Sequence, residues 1–265
     1  MPSFTTDGVS VHYEDTGGDG VPVLLVHAWP LHSGMWRSQI DALSGVRRVL
    51  APDLKGFGAS DAPENAGDYS MDSYADDLAA TLDDAGVECA VVVGLSIGGY
   101  ISFALWRRHR NRIAALVLAD TKAEADPPEG IEKRSGQQEQ VRAQGIDGLV
   151  EALPQALLSP TTREKKPDVV ENVRTLMSNP AAGYVGALEA MKGRPDSTQN
   201  LAGIDVPTLI VVGEDDGVTP PEAARNLEQR IPRARLVVVP EAGHLSNLEA
   251  PDAFNGALAE FLGEV

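Results

Sequence analysis

Val91-Val-Val-Gly94-Leu-Ser96-Ile-Gly98-Gly99-Tyr100 opens as a β-branched run, passes through Gly-x-Ser-x-Gly, and continues to His109 with apolar residues at helical spacing. A serine on a sharp strand-to-helix turn is held in a strained conformation that exposes its Oγ. Glycines two residues to either side remove the side chains that would collide there. The start of the following helix adds free N–H groups and positive potential, which suit a developing oxyanion. The segment therefore predicts a nucleophilic Ser96 at the carboxyl end of a buried strand.

The same alternation extends in both directions. Short apolar runs at Val23–Val26, Arg48–Ala51, Ala114–Leu118, Thr208–Val212 and Leu236–Val239 read as strands buried on both faces. Between the runs, Met35–Leu43, Ser73–Ala85, Gly98–His109, Pro221–Arg230 and Pro251–Phe261 carry helical spacing, with Pro221 and Pro251 suited to first-turn positions. Ser3–Thr6 and Val9–Glu14 flank Asp7-Gly8, a hairpin signal. This order predicts an α/β fold with a mainly parallel, eight-stranded sheet and helices on both faces. The alternation fails from Lys122 to Leu201, where apolar residues fall at helical spacing: Leu149, Leu153, Leu157 and Leu158, then Val173, Leu176 and Met177, then Val185, Leu188 and Met191. That break predicts a helical cap over residues 122–200, inserted between core segments 1–121 and 201–265.

A serine hydroxyl needs a base at neutral pH, and the base needs an orienting acid. His244 lies in Pro240-Glu-Ala-Gly-His244-Leu-Ser-Asn, past the last apolar run and before the last helix. Loops at the carboxyl ends of parallel strands are where open α/β sheets place ligand chemistry. Glu214, Asp215 and Asp216 follow the Thr208–Val212 run and offer three carboxylates. Ser96, Asp216, His244 is the chain order of a known serine triad. His12 and His109 read as surface residues.

Of 265 residues, 43% are hydrophobic and 23% charged, close to globular averages. The net charge of −17 argues against a nucleic-acid partner or an anionic membrane surface, both of which need clustered Lys and Arg. No apolar run approaches the about 18 residues of a membrane span, and Met-Pro-Ser-Phe-Thr-Thr at the start is no basic-then-apolar signal. A cytoplasmic protein is expected. Cys89 allows no internal disulfide and reads as a small core residue. His and carboxylate clusters at metal-ligand spacing are absent, so neither metal nor cofactor is expected. The oligomeric state stays open.

Taken together, the chain resembles an α/β-hydrolase of the esterase, enol-lactonase and cofactor-free haloperoxidase branch over essentially its whole length. The family's His-Gly-x-Pro stands here as His27-Ala28-Trp29-Pro30. Asp-x-Arg-Gly-x-Gly-x-Ser stands as Asp53-Leu-Lys55-Gly56-Phe-Gly58-Ala-Ser60. Gly-x-x-Asp-x-x-x-Pro places the acid at Asp216, with Pro220 in register, and Gly-His places the base at His244. The resemblance implies an oxyanion hole from the backbone N–H groups of Trp29 and Ile97, and a supporting role for His27. Two departures stand out. Ala28 replaces a glycine that takes positive φ freely, and Lys55 replaces an arginine's bidentate fork. Apolar pocket walls are expected from Trp29, Ile97, Val218, Leu245, Leu153, Leu157 and Met177, with Arg142, Arg174 or Arg194 the cap residues able to add a charge.

A serine nucleophile implies acyl transfer on a small-molecule substrate, and the reading that leads is hydrolysis of small to medium carboxylic esters or lactones. A second is perhydrolysis, in which peroxide replaces water at the acyl-enzyme. It is favoured by Pro30, which branch members of that type carry after the oxyanion residue. A third is a ligand-binding hydrolase homologue, against which the complete triad argues.

Overall fold

A computed structural model describes residues 2–265. Its strands are β1 Ser3–Thr6, β2 Val9–Asp15, β3 Val23–Val26, β4 Val49–Pro52, β5 Ala90–Leu95, β6 Ile113–Ala119, β7 Thr208–Gly213 and β8 Ala234–Val239. They form one eight-stranded sheet in the order β1-β2-β4-β3-β5-β6-β7-β8. β1 pairs with β2, and β2 with β4, antiparallel; every other pairing is parallel. Asp7 and Gly8 both take positive φ (49° and 80°), so Thr6 pairs with Val9 across a two-residue turn.

Successive residues of each inner strand enter different cores, as the pleat requires. Leu24, Val26, Val92, Leu116, Ile210 and Val212 join one cluster. Val23, Leu25, Val91, Val93, Val117, Leu209 and Val211 join the other. The first cluster is completed by α2 (Met71–Asp84), α3 (Ile97–His109) and α9 (Pro221–Arg230), through Leu78, Ile101 and Leu227. The second is completed by α1 (Arg37–Leu43) and α11 (Pro251–Leu262), through Ile40, Phe254 and Phe261. Both faces of β3, β4, β5 and β7 are therefore covered, and all their residues are buried.

Between β6 and β7 lie α4 (Pro128–Gln144), α5 (Asp147–Leu157), α6 (Pro160–Lys165), α7 (Pro167–Leu176) and α8 (Ala181–Lys192). Among the described residues this stretch adds no strand to the sheet. It is anchored in both cores: Tyr184, Leu188 and Met191 of α8 enter the first, while Val173 and Leu176 of α7 and the adjoining Met177 enter the second.

Three local expectations need correction. β8 is not buried on both faces: it is the last strand of the order, most of it is half-buried, and Val238 is exposed. The helix expected from Met35 begins as a tight 3-10 turn, Ser33–Trp36, because the His32 ring caps it by accepting from the Gly34 N–H. Cys89 stands just before β5 and is half-buried rather than enclosed. Among the described residues no helix is long and apolar enough to cross a membrane.

Leu24 is fully enclosed at the centre of the sheet, so truncating it leaves a cavity the paired strands cannot close. Leu24→Ala is expected to cost about 2–5 kcal/mol, read by denaturant unfolding with an unchanged slope.

Candidate active site

Five strand ends build the site. β5 ends at Leu95, and Ser96 turns the chain directly into α3 with φ 57° and ψ −112°. Few non-glycine residues occupy this region, and the surroundings hold it in place. Ser96 N–H donates to the Ala119 carbonyl at 2.9 Å, and Thr121 Oγ1 donates to the Ser96 carbonyl at 2.8 Å. A Cβ at Gly94 would overlap the Gly98 carbonyl, and one at Gly98 would overlap the Val26 carbonyl. Both glycines are therefore dictated by close backbone approach. Ser96 keeps 9% of its surface accessible.

β8 ends at Val239, and the loop after it presents His244, which is 2% exposed. Its Nε2 lies 2.8 Å from Ser96 Oγ, and its Nδ1 lies 2.9 Å from Asp216 Oδ2. A carboxylate only accepts, so Nδ1 carries the proton and Nε2 is free to accept from the serine hydroxyl. Asp216, three residues past β7, has its other donors close by. Val218 N–H and Thr219 N–H donate to Oδ1 at 2.8 and 2.9 Å, and Thr219 Oγ1 donates to Oδ2 at 2.7 Å. Glu214 and Asp215, the alternative carboxylates, are exposed.

Burial alone would push the His244 pKa down, but the charge and hydrogen bond of Asp216 outweigh it and hold the imidazole above its ordinary value. Burial likewise works against the charged form of Asp216, and His244 and Thr219 reverse this, leaving it below the usual carboxylate range. Asp120, at the end of β6, is fully buried. It is pushed well above the usual range by burial and by the charge of Asp216. It accepts from Gly213 N–H at 2.8 Å and from Ser246 Oγ at 2.5 Å, tying the end of β7 to the start of α10 (Ser246–Glu249).

The His244 loop is also held from the insertion. His244 N–H donates to the Leu157 carbonyl at 2.9 Å. The buried Glu249 carboxylate accepts from Gly243 N–H (2.9 Å), Leu245 N–H (3.3 Å) and Ser159 N–H (2.8 Å). It thus brackets the histidine on both sides and reaches the α5–α6 junction.

The loop after β3 runs His27–Ser33. His27 Nε2 accepts from Leu54 N–H at 2.9 Å, which assigns the proton to Nδ1, where it donates to the Ala28 carbonyl at 3.0 Å. Burial lowers the His27 pKa to about 4, so the ring is a neutral strut. Ala28 is not among the positive-φ residues, so the departure from glycine leaves the loop unstrained. Lys55 forms a buried ion pair with Asp77 at 3.1 Å, a point-charge contact where a fork is not used. Among the described residues, neither Trp29 N–H nor Ile97 N–H donates to a protein acceptor.

The expected pocket residues separate by burial. Trp29 packs edge-on against Tyr184, with ring centroids 5.8 Å apart. Leu153 is partly buried and touches both clusters. Leu157, Met177 and Leu245 are enclosed in the second cluster, where apolar packing occupies them. Val218 is 42% exposed. Arg142 is exposed, and Arg174 pairs with Glu151 and Glu171. Arg194 is buried, paired with Asp126 at 2.8 Å and stacked over the Tyr100 ring at 4.2 Å. Thr219, Thr121, Asp120 and Glu249 were not singled out from sequence. Only Thr219 had a local signal there, a hydroxyl three residues after an aspartate, as in an Asx-type turn.

Comparison with known proteins agrees with this architecture. A thermophilic esterase from Thermogutta terrifontis superposes with a TM-score of 0.93 at 39% identity, covering 99% of this chain and 96% of that one. The enol-lactonase from Burkholderia xenovorans LB400 superposes with a TM-score of 0.91 at 30% identity, covering 99% and 100%. A non-heme chloroperoxidase of Kitasatospora aureofaciens is 31% identical over 100% of both chains. The family profile for the alpha/beta hydrolase fold matches residues 21–251, and the chain belongs to that family.

Proposed function

We propose that this chain is a serine hydrolase acting on small to medium carboxylic esters or lactones, with Ser96 as nucleophile, His244 as base and Asp216 as orienting acid. The observation that carries this is the His244 ring seated between Ser96 Oγ and Asp216 Oδ2, at 2.8 and 2.9 Å. Ser96 Oγ attacks the carbonyl carbon while its proton passes to His244 Nε2. The negative charge on the carbonyl oxygen falls to the N–H groups of Trp29 and Ile97. Collapse expels the alcohol, which takes the proton from His244, and leaves an acyl group on Ser96. Water, deprotonated by His244, repeats the sequence and frees the acid. Residues 122–200 form a cap over the core segments 1–121 and 201–265, with Leu153, partly buried against both clusters, as its apolar contribution to the wall. The similarity to an esterase and an enol-lactonase supports the substrate class.

The chloroperoxidase similarity and Pro30 support a second reading, in which peroxide intercepts the same acyl-enzyme. Measuring peracid and free acid from one ester separates the two. If Pro30 directs peroxide, Pro30→Leu lowers the peracid-to-acid ratio while hydrolysis stays within a few-fold; an unchanged ratio leaves Pro30 a stiffener of its loop.

Ser96→Ala is expected to lower kcat by about four orders of magnitude, with the Ser96→Ala/His244→Ala double variant no worse. Retention of a tenth of wild-type kcat in purified Ser96→Ala would end the proposal.

The pH profile has a defined sign. Only neutral His244 accepts the serine proton, so kcat/KM falls as pH drops through the raised pKa of this group. Asp216→Asn removes the charge that raises it. The acidic limb should move to lower pH while the plateau drops by about 10⁴-fold, as the imidazole loses its orienter. A limb that stays in place would contradict the assignment.

Arg142, Arg174 and Arg194 are exposed or committed to carboxylates, so an uncharged acyl group is preferred. An ester should exceed its carboxylate-bearing analogue in kcat/KM by about tenfold or more, because a charge entering an apolar wall goes unpaired. Equal values would show that a cation reaches the pocket.

A further inference from the structure

Resting on the triad and oxyanion assignments above, we propose that Asn179, a cap residue, is a positioning residue for the oxyanion loop and thereby sets kcat from outside the core. Asn179 follows α7 and is 6% exposed. Its side chain is used in three directions. Nδ2 donates to the Pro30 carbonyl at 2.9 Å and to the Leu176 carbonyl at 2.9 Å. Oδ1 accepts from Gly58 N–H at 2.8 Å. One amide thus joins the C-terminal end of α7, the turn after β4, and the residue next to Trp29.

The rest of the loop is held from the core. Leu31 N–H closes a turn on the Ala28 carbonyl, Ala28 N–H points at Met35 Sδ, and Ser33 N–H donates to Asp53 Oδ1. These contacts fix the two flanks of Trp29-Pro30. Among the described residues, the hydrogen bond from the cap to this loop is the one from Asn179. Pro30 has no N–H of its own, so its carbonyl, which opens the Pro30–Leu31 peptide unit, is the polar handle by which the residue next to Trp29 is fastened. The Trp29 N–H must point at the place where the carbonyl oxygen sits as an oxyanion in the tetrahedral intermediate, and misplacement of such a donor by about 1 Å costs up to about a hundredfold in rate. Tyr184, also in the cap, keeps this segment in place: its hydroxyl donates to the Met177 carbonyl at 2.6 Å, and its ring meets the Trp29 indole.

The test compares wild type with Asn179→Ala and Asn179→Asp. Asp keeps the size and the acceptor for Gly58 N–H but replaces the donor with an oxygen facing the Pro30 carbonyl. Steady-state kinetics on an aryl ester are paired with the inhibition constant of an alkyl boronic acid, which forms a tetrahedral adduct on serine. Thermal melting checks folding, and if Asn179→Ala does not fold, Asn179→Asp supplies the same comparison. The expected result is a kcat loss of about ten- to a hundredfold with KM within about threefold, and boronate affinity weakened in parallel. A folded variant with kcat within twofold of wild type overturns the proposal. So does a kcat loss with unchanged boronate affinity, which places the fault elsewhere than the oxyanion loop. Ser96→Ala runs alongside: if it turns the ester over, the hydrolase reading itself fails, whereas a dead Ser96→Ala with an unaffected Asn179→Asp rejects only the role of Asn179.

Discussion

The backbone of Ser96 is the constraint on which the rest is built. A non-glycine residue at φ 57° and ψ −112° costs on the order of 1–3 kcal/mol, and it persists only where its surroundings over-determine it. Here they do. Gly94 and Gly98 let the strand and the helix start approach within backbone contact, and the Ala119 carbonyl and the Thr121 hydroxyl hold the two ends of the Ser96 residue. The consequence is a hydroxyl held at the carboxyl end of β5, where α3 begins, within reach of whatever the neighbouring strand ends deliver.

What they deliver is a set of buried polar groups that must be satisfied, because an unpaired one costs about twice what a hydrogen bond contributes. Asp216 is met by two backbone N–H groups, a threonine hydroxyl and the imidazole. Glu249 is met by three backbone N–H groups, two of them flanking His244. Asn179 satisfies three backbone groups from three segments. Each of these side chains joins loops distant in sequence, and two of them tie the helices between β6 and β7 to the other strand-end loops. Satisfying buried polar groups and aiming the reacting ones are thus the same physical problem, and the segment between β6 and β7 takes part in both.

Legibility in the sequence followed the range of the interactions. β-branched runs, the Asp7-Gly8 turn and the first-turn prolines of α9 and α11 are local signals, and the strands and helices stand where they point. Ser96 and His244 each sit in a short motif after an apolar run, whereas Asp216 is one of three carboxylates that only the family motif separates; the three side chains lie within hydrogen-bond distance in the order Ser96–His244–Asp216. Thr121, Asp120, Glu249 and Asn179 were not readable, since their partners lie in other segments and nothing nearby in the chain marks them. The same limit explains Leu157 and Met177, read from helical spacing, and Leu245, read from its place beside His244: such signals show that a residue faces something apolar, not whether that is a cavity or the core. β8 misled for a related reason, as Leu236–Val239 has the composition of a buried strand but the position of an edge.

In the proposed mechanism, turnover passes through an acyl group on Ser96. Acid quenching during turnover of a p-nitrophenyl ester, followed by peptide mass spectrometry, tests it most directly. The acyl mass is expected on the peptide containing Ser96, and on no peptide of Ser96→Ala. Turnover with the acyl group on a different residue, or acylation that survives in Ser96→Ala, would contradict it.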